Sequence, residues 1–224
     1  MAKDHENSIE EQLGKAEKFI IENKNSLAII VGSAFILFII YFSYQRFYLA
    51  PREVEAINQM YVAEKYFEND SLNKAINGDG SFMGFESIID EYSGTKAANL
   101  ANYYLGMCYL KKGAFEKAIE SLENYSGNDE LIAPLAMGAV ADAQSELGLY
   151  ADAAKQYKAA AKKGNNKLIA PLFLMKMGLT YEQLKDNEKA LKAYQEIKEK
   201  YSESAEAQKV DKYIGRVEAK LSLN

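Results

Sequence analysis

The stretch Leu131-Ile132-Ala133-Pro134-Leu135 is written a second time as Leu168-Ile169-Ala170-Pro171-Leu172, 37 residues later. The chain has only three prolines in 224 residues, so two of the three fall at one place in a repeated phrase. Beyond these five letters the likeness continues, LIAPLAMGAVADAQSELGLYADAAKQY against LIAPLFLMKMGLTYEQLKDNEKALKAY. Self-similarity at such a period is the signature of stacked helical hairpins. Proline is tolerated in the first turn of a helix, where its missing N–H would have no intrahelical partner. Each copy of the phrase therefore marks the start of the first helix of a repeat.

Other marks extend the array. Gly80-x-Phe82, Gly113-x-Phe115 and Gly148-x-Tyr150 share one pattern at spacings of 33 and 35, and Tyr92-Ser93-Gly94 returns 33 residues on as Tyr125-Ser126-Gly127. Within ANLANYYLGMCYLKKGAFEKAIESL (residues 98–122) the apolar spacing predicts a first helix to about Lys112, a turn at Gly113, and a second helix through Phe115, Ala118, Ile119 and Leu122. The small Ala118 allows the two helices to cross closely. These residues resemble the tetratricopeptide repeat, with Leu105, Gly106 and Tyr109 standing at its L-G-x-x-Y and Ala118 at its later alanine.

The remaining units follow the same frame with departures. The third is poor in its first helix (Val140, Ala141, Gln144) and good in its second (Gly148, Tyr150, Ala153, Tyr157, Ala160). The fourth has Gly178, Tyr181, Ala190 and Tyr194, but Lys185 at the turn glycine and Ser202 where the family often has proline. Ahead of them, helices are expected over residues 53–67 and 82–92. The connection NDSLNKAINGDGS is too long for a simple turn, so this is a degenerate first repeat with an insertion. Val210, Ile214, Val217 and Leu221 recur at helical spacing among charges, as a terminal helix must if it covers the last repeat and stays soluble.

One segment differs in kind. Residues 25–45 carry no charge, and 21 helical residues span about 30 Å, the thickness of a bilayer core. This reads as a transmembrane helix in contact with the lipid bilayer. A cleavable signal is disfavoured by the long acidic lead-in (Asp4, Glu6, Glu10, Glu11, Glu17, Glu22) and by the lack of a small-x-small site after the span. Tyr41, Phe42, Tyr44, Phe47 and Tyr48 cluster at its far end, where amphipathic rings favour the headgroup layer. Lys15, Lys18 and Lys24 precede the span against Arg46 and Arg52 after it, a bias toward a cytoplasmic N-terminus. In the tail, Ser8-Ile9-Glu10-Glu11 reads as a capping box, and Ile9, Leu13, Ala16 and Ile20 then share one face of a short amphipathic helix.

The fold expected is thus all-α: a single transmembrane helix followed by a right-handed solenoid of tetratricopeptide-type helical hairpins. Residues 1–24 form a cytoplasmic tail, 25–45 the membrane span, and 46–224 a repeat domain of about four hairpins, the first irregular, plus a terminal capping helix.

Composition closes off several functions. A formal charge of −5 without any block of Lys and Arg gives no reason to expect nucleic acid. The lone Cys108 sits in an apolar helical run, where a buried thiol is the ordinary outcome, and the lone His5 lies in the polar tail far from any partner. Zinc ligation and nucleophile systems built on histidine have nothing to work with. No catalytic residue, cofactor, metal or small-molecule substrate is expected, and the protein reads as non-enzymatic.

In the tetratricopeptide family the first helices line a concave face. Carried over, that geometry implies a protein-binding groove of Tyr103, Met107, Leu110, Asp142, Met175, Leu179 and Glu182. The Lys/Asn clamp by which some of these domains hold a C-terminal carboxylate is replaced here by Tyr103, Met107, Gly138, Asp142, Met175 and Leu179. Tail, anchor and repeats together resemble the YfgM-type ancillary subunits of the SecYEG translocon, and NGDGSF, GTKAANLANYYLG and LIAPLAMGA are similar to tetratricopeptide proteins of Bacteroidetes-type bacteria. The resemblance implies a single-pass bacterial inner-membrane protein with its repeats in the periplasm, whose partners are SecYEG subunits, periplasmic chaperones and client proteins. A scaffold for another envelope complex, in outer-membrane assembly, secretion or cell division, is the alternative.

Overall fold

A computed structural model describes residue 15 and residues 17–223. His5, the capping box at Ser8 and most of the amphipathic face, including Ile9, Leu13 and Ala16, lie outside these residues. The chain divides after Pro51 into two compact units. Every described residue in a regular element is helical.

The first unit holds helix α1, Lys24–Ser43, followed by a π-helical segment, Tyr44–Leu49. α1 has no buried residue, although its sequence is almost entirely apolar. It lies in the one helix among the described residues that is long and apolar enough to cross a membrane. Its aromatic end is ordered by stacking at i,i+4, with Phe38 on Phe42 at 6.3 Å and Tyr44 on Tyr48 at 5.1 Å between ring centroids.

The second unit begins within α2 (Ala50–Glu68) and continues through two short helices, α3 (Leu72–Asn77) and α4 (Phe85–Glu91). Three regular hairpins follow. They are α5–α6 (Lys96–Lys111, Phe115–Asn124), α7–α8 (Ile132–Glu146, Tyr150–Lys163) and α9–α10 (Ile169–Gln183, Asn187–Lys200). Helix α11, Ala207–Ser222, closes the array with Val210 and Val217 fully buried and Ile214 and Leu221 partly so, as the spacing predicts.

Both repeated prolines fall in the first turn of a helix and are fully buried. What starts these helices is two residues further upstream. The Asp129 carboxylate accepts the N–H groups of Leu131, Ile132 and Ala133, and the Asn166 side chain accepts those of Leu168 and Ile169. Each satisfies donors that the first turn leaves without intrahelical partners, and the two caps stand 37 residues apart like the phrase they precede.

The first helices end alike. At Gly113 (φ +73°) the N–H bonds to the Leu110 carbonyl, and the next N–H, of Ala114, bonds to the Tyr109 carbonyl. Gly148, Lys185 and Asp70 repeat this Schellman pattern, all with positive φ. Asp70 thus takes the turn position of the first repeat, at the end of α2. The expected register of Gly80-x-Phe82 is therefore corrected. Gly80 and the exposed Phe82 lie in a loop between α3 and α4, organised by the Asp79 carboxylate, which accepts the Ser81 and Phe82 N–H groups and the Tyr66 hydroxyl. The insertion falls inside the second helix of the first repeat and breaks it into α3 and α4.

Close contact between repeats rests on small and aromatic residues. Ala118 is fully buried, and Leu122 packs over Gly106, where a Cβ would lie 2.4 Å from its Cγ. One apolar cluster is built on Phe85, Ile88, Leu105 and Leu122, and another on Phe173, Tyr194, Ile197 and Val217. Burial of a side chain such as Phe85 or Ile197 stabilises by about 2 kcal/mol. Cys108 is fully buried, and burial pushes its thiol up to about 12, so it is an inert part of this packing.

Candidate protein-binding groove

The common turn fixes a register for the four first helices. Counting back from Asp70, Gly113, Gly148 and Lys185, Ile57, Leu100, Leu135 and Leu172 occupy one equivalent step. Met60, Tyr103, Gly138 and Met175 occupy the next, then Glu64, Met107, Asp142 and Leu179, then Phe67, Leu110, Ser145 and Glu182. The seven residues expected on a groove therefore do share one face of their helices, on three of the four first helices.

Their surroundings separate them. Met107 and Leu110 are half-buried against the first core cluster, and Met175 against the second. Leu179 is exposed. Tyr103 packs edge-on to Tyr104 at 5.5 Å and against Tyr125 at 6.0 Å, and burial raises its pKa. These five offer apolar and aromatic surface of the adaptable kind used in protein recognition.

The two acidic candidates are already engaged. Asp142 accepts the Lys176 ammonium at 2.7 Å and the Tyr157 hydroxyl at 2.5 Å. Glu182 accepts the Tyr194 hydroxyl and the Lys220 ammonium, both at 2.8 Å, and the Arg216 guanidinium. Burial pushes the Glu182 pKa up, but the three donors outweigh it and hold the carboxyl below its ordinary value. Tyr157 and Tyr194 are both raised, first by burial and then by the carboxylate each donates to. These carboxylates tie helices together, and a ligand would have to displace a cation to reach them.

Sequence reasoning missed the contribution of α2. Ile57, Met60 and Tyr61 line a cleft of about 340 Å³ with Ala97 and Leu100 of α5, bounded by Glu53 and Glu64. Glu53 accepts the N–H groups of Lys96 and Ala97 and so caps α5 from the neighbouring helix. Burial raises the Glu64 pKa. The signal that would have found this cleft is the leucine that recurs 13 residues before each turn, which Ile57 continues once Asp70 is recognised as a turn residue. A second cleft of about 560 Å³ is lined by Leu110, Phe115, Asp142, Tyr157 and Lys176. Among the described residues no cluster of His, Cys, Asp and Glu is arranged to hold a metal ion.

The fold and its register define a class, the helical-hairpin repeat proteins. Family models for the tetratricopeptide repeat match residues 140–205 and residues 100–128. The array is accordingly an all-helical tetratricopeptide solenoid, and its repeats make it a protein-interaction module. Comparison with curated proteins yields no match.

Proposed function

We propose that this chain is a membrane-anchored adaptor of the bacterial inner membrane, an accessory subunit of the Sec translocon that helps exported or membrane proteins meet periplasmic chaperones. The observation that carries the reading is the pairing of a wholly exposed apolar helix, α1, with a repeat unit whose first helices share an apolar face. An apolar helix of this length requires lipid or protein around it, since water would hydrate every side chain it exposes. The likeness of the tail, anchor and repeats to YfgM-type subunits supplies the translocon, and the three lysines before the span against two arginines after it favour repeats on the periplasmic side.

The binding surface in this reading comprises Tyr103, Met107, Leu110, Met175 and Leu179, extended by Ile57 and Tyr61, with Asp142 and Glu182 at its ion-paired margins. The test is purification of the full-length chain from its own membranes in mild detergent after light crosslinking, with mass spectrometry of what accompanies it. SecYEG subunits and periplasmic chaperones at near-stoichiometric level are expected. Recovery of outer-membrane assembly, secretion or division components instead would overturn the translocon assignment and leave an envelope scaffold.

A further inference from the structure

Glu64 and Asp142 occupy the same step of the first-helix register, six residues before the turns at Asp70 and Gly148. Asp142 is fully answered there. Lys176, nine residues before the next turn, supplies its cation, and Tyr157, nine residues after its own turn, supplies a hydroxyl. At Glu64 both places are filled differently. The residue nine before the turn at Gly113 is Tyr104, a neutral donor that interacts with the carboxyl. The residue nine after Asp70 is Asp79, which lies in the inserted loop and accepts the Tyr66 hydroxyl.

The nearby cations are committed elsewhere. Lys65 is paired with Glu68 at 2.7 Å and Lys111 with Asp70 at 2.6 Å, and among the described residues no ion pair reaches Glu64. Lys96 lines the far end of the cleft beside Glu53, whose carboxylate caps α5, and from Glu53 to Glu64 is three turns of α2, about 16 Å. Burial therefore prevails at Glu64 and raises its pKa, whereas at Glu182 burial is overcome by Arg216, Lys220 and Tyr194, which lower it. The half-buried Glu64 carboxylate stands at the rim of a cleft of about 340 Å³ walled by Ile57, Met60, Tyr61, Ala97 and Leu100.

We propose that this cleft receives a polypeptide segment in which Lys or Arg adjoins large apolar side chains, the apolar groups filling the cleft and the cation pairing with Glu64. The ligand's cation does for Glu64 what Lys176 does for Asp142, so the ligand completes from outside a clasp that Asp142 and Glu182 complete within the chain. A segment with a carboxylate in that place would meet Glu64 as a like charge, and one without a cation would leave the sheltered carboxylate unanswered. That the ligand is a polypeptide rests on the proposed protein-binding face. Its charge and apolar character are read from Glu64 and the cleft walls.

The experiment is fluorescence anisotropy of the full-length chain in mild detergent with three short labelled peptides. One carries two leucines beside an arginine, one has glutamate in place of the arginine, and one has serines in place of the leucines. The first is expected to bind about tenfold more tightly than either of the others. Glu64→Gln is expected to weaken the arginine peptide by about tenfold, and Glu64→Lys to reverse the preference so that the glutamate peptide binds the more tightly. Glu120→Gln, at an exposed position on α6, is the control and should bind all three as the unmodified chain does. Transfer of a peptide into detergent is common to all variants and drops out of the comparison. Three peptides binding alike, or a Glu64→Gln chain that holds the arginine peptide as tightly as the unmodified one, would overturn the proposal and leave the protein-binding face in place. Binding of none would remove that face itself, and the inference with it.

Discussion

Asp142 and Lys176 form an ion pair at 2.7 Å across 34 positions of sequence, and Glu182 and Arg216 are paired across the same 34. In both cases a carboxylate on a first helix also receives the hydroxyl of a tyrosine on its own second helix, Tyr157 or Tyr194. The cation comes from the next helix along, α9 for Asp142 and α11 for Glu182. Helix α11 is therefore attached to the last hairpin by the device that joins one hairpin to the next, and the end of the array is built as a further first helix.

Glu182→Gln should loosen that attachment. The Glu182 side chain is 8% exposed and holds two cations that are themselves about half-exposed, so neutralising it removes charge-assisted bonds from a sheltered site. The expected loss is about 2 kcal/mol of unfolding free energy in urea. Hydrogen exchange should quicken across Ala207–Ser222 while Lys96–Lys111 is unchanged. Arg216→Ala should cost less, about 0.5–1 kcal/mol, because Lys220 still answers the carboxylate. Equal exchange in both helices of the Gln variant would count against a local clasp.

The same carboxylate sets a pH dependence. Its folded pKa is depressed below the ordinary glutamate value of 4.5 by Arg216, Lys220 and Tyr194 acting against burial. The stabilisation is accordingly complete above about 4.5 and is lost as pH falls through the lower folded value. As pH falls below about 5 the unmodified chain should lose more stability than Glu182→Gln, and the two melting curves should converge at the acid end. Other depressed carboxylates, Asp129 and Asp186 among them, remain in both chains and cancel in the comparison. Parallel acid profiles would contradict the assignment.

The array was legible because LIAPL states the period outright and because glycine at position 113 or 148 announces a left-handed turn. Where another residue adopts that conformation the announcement fails. Asp70 ends α2 as Gly113 ends α5, yet nothing in its neighbourhood spells a turn, while Gly80-x-Phe82 imitates the pattern inside an inserted loop. That displaced register hid Ile57 and the cleft beside it. Asp142 and Glu182 read as groove residues because the local pattern places them on an open helix face. Their cations stand 34 residues ahead, beyond what helical periodicity can report.

Lys185 supplies a direct test of the turn. It holds φ at +58° where Gly148 and Gly113 hold +76° and +73°, and it makes the same pair of backbone bonds, to Glu182 and from Asp186 to Tyr181. A side chain in this region costs about 1 kcal/mol relative to glycine. Lys185→Gly should therefore raise stability by about 0.5–1 kcal/mol, and Gly148→Ala should lower it by a comparable amount, both read from urea midpoints at constant slope. Loss of stability in Lys185→Gly would mean that the lysine side chain contributes more than its backbone costs.

Gly178 and Gly215 stand 37 residues apart at equivalent steps of α9 and α11, and the same substitution should have opposite effects at the two. A Cβ at Gly178 would lie 2.3 Å from the ring of Tyr194, which is fully buried and cannot withdraw. Gly178→Ala should destabilise by about 2–3 kcal/mol through overpacking. At Gly215 nothing lies within 4 Å, because no second helix follows to pack there among the described residues. Only the helix preference for alanine over glycine then remains, and Gly215→Ala should stabilise by about 1 kcal/mol. Urea unfolding of the two variants decides the matter. A destabilised Gly215→Ala would show that this face of α11 is covered in the native protein, and the terminal helix would have to be read as an interior one.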